Sequence, residues 1–152
     1  MQLLGALLRN QPLVIANLAW LVAQALKVLT HYAYTRRVDF RMWASSGGLP
    51  SSHSAFVTAL TTAIGLQEGF DSALFAACFV FGSIVMFDAR GVRMAAGHQA
   101  RVLNQIVREL FEGHPISQEK FKELLGHTNF QVIAGALLGI VMAVWWMGGV
   151  VG

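Results

Sequence analysis

Residues 129–150 contain no Asp, Glu, Lys, Arg or His. Coiled into an α-helix, a run of that length reaches about 33 Å, enough to cross the roughly 30 Å hydrocarbon core of a bilayer. The rest of the chain is built in the same spirit: 55% of its residues are hydrophobic and 12% are charged, against about 25% charged in a soluble domain. A bilayer is the solvent this composition suits. At 152 residues the chain reads as a single domain. The net charge of +3 is too small to imply a nucleic-acid partner, and the one cysteine, Cys78, lies in an apolar run and reads as a small buried hydrophobe.

Four membrane-length or near-membrane-length segments follow one another. The first, 12–34, is interrupted by Asn17, Gln24, Lys27 and His31 at spacings of seven, three and four. Those spacings put the four on one helical stripe, which polar groups in a span turn toward a bundle interior or a wet cavity. A second helix over 51–67 is short and rich in Ala and Thr, so it is expected to pack on protein more than on lipid. A third begins near 72, is apolar to 87, and is expected to continue out of the membrane as an amphipathic helix to about 112. A short amphipathic helix over 117–125 precedes the last span, 129–150. Residues 1–11 lack the cleavage pattern of a secretory signal and read as mature protein forming an interfacial helix. The predicted fold is therefore all-α: a polytopic membrane bundle of about four spans with amphipathic cytoplasmic helices.

Charge supports the topology. Loops 35–50 and 89–128 lie on one side and hold nine of the eleven Lys and Arg residues. Positive residues mark the cytoplasmic face, so both termini are expected to point away from the cytoplasm. The Trp145-Trp146 pair reads as an interfacial belt, and Gly135 and Gly139 as a helix-packing face that could serve a homo-oligomer.

On the cytoplasmic side lies Ser45-Ser46-Gly47-Gly48-Leu49-Pro50-Ser51-Ser52-His53-Ser54. Glycines let backbone approach a ligand, Pro suits the first turn of a helix, and the helix start that follows offers N–H groups and a positive dipole to an anion. His53 at its rim can move a proton near neutral pH. Lys27, Arg36, Arg37, Arg41, Arg93 and His127 converge on the same face. Phosphoryl transfer asks for a cationic cradle, a nucleophile and an acid for the leaving oxygen. Two histidines at separate helix starts with arginines between them fill those roles without a metal, and the chain carries no HxxEH, DxD or Cys/His cluster. Lys27 also reads as a span-end cation that snorkels, and Arg36 and Arg37 as topology determinants.

GGLPSSHSA, FDARGVRMAAGHQARVLNQ and LLGHTNFQVIAGALLG, in that order, resemble the divergent branch of the phosphatidic acid phosphatase type 2 and vanadium haloperoxidase superfamily. The superfamily pattern is KxxxxxxRP, PSGH and SRxxxxxHxxxD. By resemblance, Ser51 and the Ser52 amide bind phosphate, His53 is the general acid, Arg93 is the arginine of the third motif and His127 its nucleophile. Lys27 and Arg41 stand nearest to the first motif, at twice its spacing. Four residues after His127 comes Gln131 where the pattern has an aspartate; Gln131 can accept a hydrogen bond from the imidazole, and Asp88 is a carboxylate that could serve in its place. His98 is a rival nucleophile.

The resemblance implies a metal-independent lipid phosphate phosphatase of the inner membrane, its site facing the cytoplasm. It would act through a phosphohistidine on a substrate such as phosphatidylglycerophosphate, phosphatidate or a polyprenyl phosphate. It calls for no cofactor, and vanadate is the expected inhibitor. The expected partners are its lipid phosphate substrate, membrane lipids and further copies of itself. The competing reading is a non-catalytic membrane protein whose basic pocket binds anionic lipid or serves assembly.

Overall fold

The computed structural model describes residues 2–37, 43, 48–110 and 128–151, and the side chains of these except 90–98, 101, 108, 109, 150 and 151. Among the described residues there are five helices and no strand: α1 (Gln2–Arg9), α2 (Gln11–Thr35), α3 (Ser52–Glu68), α4 (Ala73–Leu110) and α5 (Asn129–Val151). Their bounds follow local signals. Asn10 caps α2 by accepting the Leu13 N–H at 3.1 Å, with Pro12 in the first turn. Arg36, at φ 56°, ends α2 by donating its N–H to the Tyr32 carbonyl at 2.8 Å. Gly69, at φ 93°, ends α3, and Ser72 caps α4 through the Phe75 N–H at 3.1 Å. The expected continuation of the third apolar segment is borne out: α4 runs unbroken for 38 residues, about 57 Å.

α2, α3, α4 and α5 alternate in direction. At one end, the Trp146 Nε1–H donates to Gln11 Oε1 at 2.8 Å, which joins the start of α2 to the end of α5. At the other, the Ser51 N–H donates to the Gln131 carbonyl at 2.9 Å, joining the start of α3 to the start of α5. α3 is the axle. It packs against α2, α4 and α5, whereas the backbones of α2 and α4 stay apart among the described residues.

Small residues let α3 occupy that position. Ala55, Ala59 and Ala63 are fully buried, and α5 meets them with Gly135 and Gly139. A Cβ on Gly135 would collide with the Ser51 carbonyl; one on Gly139 would collide with the Ala55 carbonyl and the Thr58 hydroxyl. Thr58 Oγ1 lies 2.7 Å from the Ser54 carbonyl of its own helix and 3.1 Å from Ala136 O on α5. The glycine pair is thus spent inside the molecule, and the expectation that it could present a contact face to a second copy is corrected: the face is covered by α3.

Much of the surface of α4 and α5 is apolar among the described residues. On α5, Phe130, Ile133, Leu137, Val141, Val144 and Trp145 are exposed, and so are Phe79, Phe81, Ile84 and Phe87 on α4. Five polar residues are buried, Gln24, Lys27, Ser51, Ser52 and Ser54, whereas Asn17, expected on the inward stripe of α2, is exposed, as are Arg9, Arg36, Arg37, Glu68, Asp71 and Asp88. Apolar side chains outward and polar ones inward suit a hydrocarbon solvent. α2 and α5 are long and apolar enough to cross it, and the apolar part of α4, Ala73–Ala89, is shorter. Two smaller expectations change. Cys78 is half-buried, and of the tryptophan pair only Trp145 faces outward, because Trp146 turns its indole N–H to Gln11. The helix expected over 117–125 lies outside the described residues.

Candidate active site

Three helices hold the turn that starts α3. Thr30 on α2 donates its hydroxyl to the Leu49 carbonyl at 2.7 Å. Gly48 turns the chain at φ 106°, a conformation open to glycine. Ser51 is the N-cap: its Oγ accepts the Ser54 N–H at 3.4 Å and lies 3.1 Å from Ser54 Oγ. Its carbonyl accepts the Ala55 N–H at 3.1 Å. The Ser52 amide, a first-turn donor, has no partner among the described residues.

Lys27 reaches this helix start from α2. It is 0% exposed, and its Nζ donates to Ser52 Oγ at 2.9 Å. The snorkelling reading is therefore overturned: the ammonium turns into the bundle. α2 continues eight residues beyond Lys27, so α3 begins about 12 Å short of the end of α2. An ammonium at a helix N-terminus sets two like charges together, because that end already carries about half a positive charge. Burying such a charge is costly unless acceptors surround it, and Ser52 Oγ is one that Lys27 has.

His53, one residue on, is half-buried and lines a cavity of about 370 Å³ with Asn17, Trp20, Phe56, Val57, Phe81 and Val85. Asp88 is exposed on α4, seven residues after Phe81 and three after Val85, on the stripe that carries the cavity wall one turn further. The structure thus brings together Lys27, Ser51, Ser52 and His53, and sets Asp88 on the neighbouring helix. Arg93 and His98 lie on the backbone of α4, but their side chains are outside the described set, as are Arg41 and His127 altogether. Arg36 and Arg37 are exposed at the end of α2.

At two places near the site the structure adds detail that the sequence did not name. Thr128 and Gln131 form a reciprocal cap at the start of α5: the Thr128 N–H donates to Gln131 Oε1 at 3.1 Å and the Gln131 N–H to Thr128 Oγ1 at 3.3 Å. The signal was present as T-x-x-Q ahead of an apolar run. The carboxamide expected to steer the imidazole of His127 thus accepts a backbone N–H beside it. Thr128→Ala is expected to lower stability by about 1 kcal/mol, read as a fall in the thermal unfolding midpoint in detergent. The second is Gln24, three residues before Lys27 and 5% exposed. Its Oε1 has no hydrogen-bond partner among the described residues; only its place on the polar stripe hinted at it.

No solved structure matches the chain. A curated relative, the uncharacterized membrane protein YuiD of Bacillus subtilis (strain 168), is 44% identical over 147 residues, covering 90% of this chain and 93% of that one. A family model described as the divergent PAP2 family matches residues 8–142, nearly the whole bundle from the end of α1 into α5, and the chain belongs to that family.

Proposed function

We propose that this protein is a metal-independent lipid phosphate phosphatase. The observation that carries the reading is Lys27 Nζ, fully buried and bonded to Ser52 at the N-terminus of α3, with His53 next along the chain. In this reading Lys27, the Ser52 amide, Arg41 and Arg93 bind the equatorial oxygens of phosphate, and Ser51 holds the helix start in place. An imidazole nitrogen of His127 attacks phosphorus while the ester P–O bond breaks. His53 gives its proton to the departing alkoxide, then takes one from the water that hydrolyses the phosphohistidine. Asp88 supplies negative charge for the imidazolium where Gln131 cannot. α2, α3, the apolar part of α4 and α5 cross the inner membrane as four spans. The basic loops put the site on the cytoplasmic face. Substrates are amphiphilic phosphates such as phosphatidylglycerophosphate, phosphatidate or a polyprenyl phosphate, vanadate inhibits, and the thin bundle works as a homo-oligomer.

The test is phosphate release in detergent with EDTA present, across a panel of lipid phosphates. Release from at least one is expected, and silence across the panel would sink the reading. Lys27→Met adds a sharper measurement. The substitution takes the donor from the buried Ser52 Oγ, and an unsatisfied buried polar group costs about 1–3 kcal/mol, so the unfolding midpoint is expected to fall modestly. Loss of a transition-state donor costs about 10²- to 10³-fold in kcat. The loss of turnover should persist at temperatures where the variant is fully folded.

One observation favours a second reading. Gln131, at the position of the expected aspartate, is engaged in the α5 cap, which suits a pocket that binds anionic lipid without turning it over. Selective binding of lipid phosphate with no release would establish it.

A further inference from the structure

The cavity beside His53 sits between α2 and α4, whose backbones stay apart among the described residues, and α3 forms its back. Its lining is apolar. Trp20, Phe56, Val57, Phe81 and Val85 form most of the wall, and the Asn17 amide is turned back onto its own helix, donating to the Leu13 carbonyl at 2.8 Å. Polarity enters chiefly at one end, through His53. Phe81 on the outer wall is exposed, whereas Val57 at the back is 4% exposed. The gap thus runs from lipid inward to the proton-moving residue.

Its dimensions choose the occupant. Asn17 lies ten residues before Lys27 on α2, about 15 Å along the helix axis and so close to half the hydrocarbon thickness of a bilayer. The volume of about 370 Å³ is within the range of small-ligand sites. A helix of a second protein, about 10 Å across, would need some 1,200 Å³ over the same 15 Å. A hydrocarbon chain of one leaflet fits both measures.

We propose that the α2–α4 cleft is the hydrocarbon-chain subsite, entered sideways from the bilayer, and that the chain lodged between Trp20, Phe56 and Phe81 delivers its phosphate to His53 and Lys27. This rests on the lipid phosphatase reading for what happens to the phosphate, but binding in the cleft can be measured without turnover. Trp20 is the reporter. In a variant with Trp43→Phe, Trp145→Phe and Trp146→Phe, reconstituted in phosphatidylcholine bilayers, the probe is a phosphonate analogue of phosphatidate with dibrominated acyl chains, which cannot be hydrolysed. At a few mole per cent it should quench Trp20 saturably and more strongly than dibrominated phosphatidylcholine at the same fraction. Equal quenching by the two would mean generic lipid filling and would overturn the proposal.

A second measurement uses Val85→Phe in the otherwise unaltered protein. Narrowing the cleft is expected to lower kcat/KM for dioleoyl phosphatidate about tenfold relative to dihexanoyl phosphatidate. An unchanged ratio, in a protein that does release phosphate, would refute the subsite while leaving the phosphatase intact. Selective quenching without release from any lipid would uphold the subsite and refute the phosphatase.

Discussion

His127→Ala is expected to reduce phosphate release to background, a loss of about 10⁴-fold or more, as removal of a covalent nucleophile does. The residue belongs to the segment leading directly into the Thr128–Gln131 cap, and Gln131 O in turn accepts the Ser51 N–H at 2.9 Å. The start of α5, which follows His127 in the sequence, is thereby anchored to the helix start that would hold phosphate. The paired variant His53→Ala should behave differently. A general acid contributes about 10²- to 10⁴-fold, and only where the leaving group needs a proton. Its loss should be large on a lipid phosphate, whose alkoxide is a poor leaving group, and small on p-nitrophenyl phosphate. The checks are initial rates on both substrates and acid-quench trapping of a labelled phosphoenzyme, which His127→Ala should eliminate. If His98→Ala abolishes trapping and His127→Ala does not, the nucleophile has been misassigned.

The second large effect concerns Gly139. The atoms that an added Cβ would meet are the Ala55 carbonyl, the Thr58 hydroxyl and the Ala59 amide, two of them backbone and unable to swing aside. Overpacking usually costs about 1–3 kcal/mol, and a backbone obstacle puts Gly139→Ala at the upper end. Gly139→Leu should keep α5 from docking. Gly135→Ala would press on the Ser51 carbonyl and so is expected to lower turnover as well as stability, although it touches no substrate. The internal control is Gly149→Ala. Nothing lies within 4 Å of its new Cβ, and alanine is favoured over glycine in a helix by about 0.5–1 kcal/mol. Its unfolding midpoint should stay level or rise. Should Gly139→Ala and Gly149→Ala unfold together, the close α3–α5 packing is wrong.

How far the molecule could be read from its residues depended on range. The helices were legible because apolar runs and caps are local: the start of α3 at the serine turn, its preference for protein neighbours, and the passage of α4 through Asp88 without a break. Partners across the bundle were not. The stripe Asn17, Gln24, Lys27, His31 told which side of α2 is polar, yet periodicity carries no information on what faces it, so Lys27 read equally as a cation reaching outward. Gly135 and Gly139 announced close packing without naming the helix they meet, since small-residue faces serve folding and association by the same contacts. Of the proposed site, Lys27, Ser51, Ser52 and His53 are placed together, and Arg41 and His127 lie beyond the described residues.

In the proposed four-span arrangement, the placing of α3 bears on how the molecule is made. The helix at the centre of the bundle is its least membrane-like one, with threonines and buried serines that a translocating channel would not release alone into lipid. Its neighbours α2 and α5 qualify by themselves. The tight turn at Gly69–Ser72 joins α3 to α4 with no spare chain, so the two are fit to enter as one hairpin, the apolar partner carrying the polar one. The glycine face of α5, made after α4, then closes over α3, and the proposed phosphate-binding turn is complete only once α5 has docked.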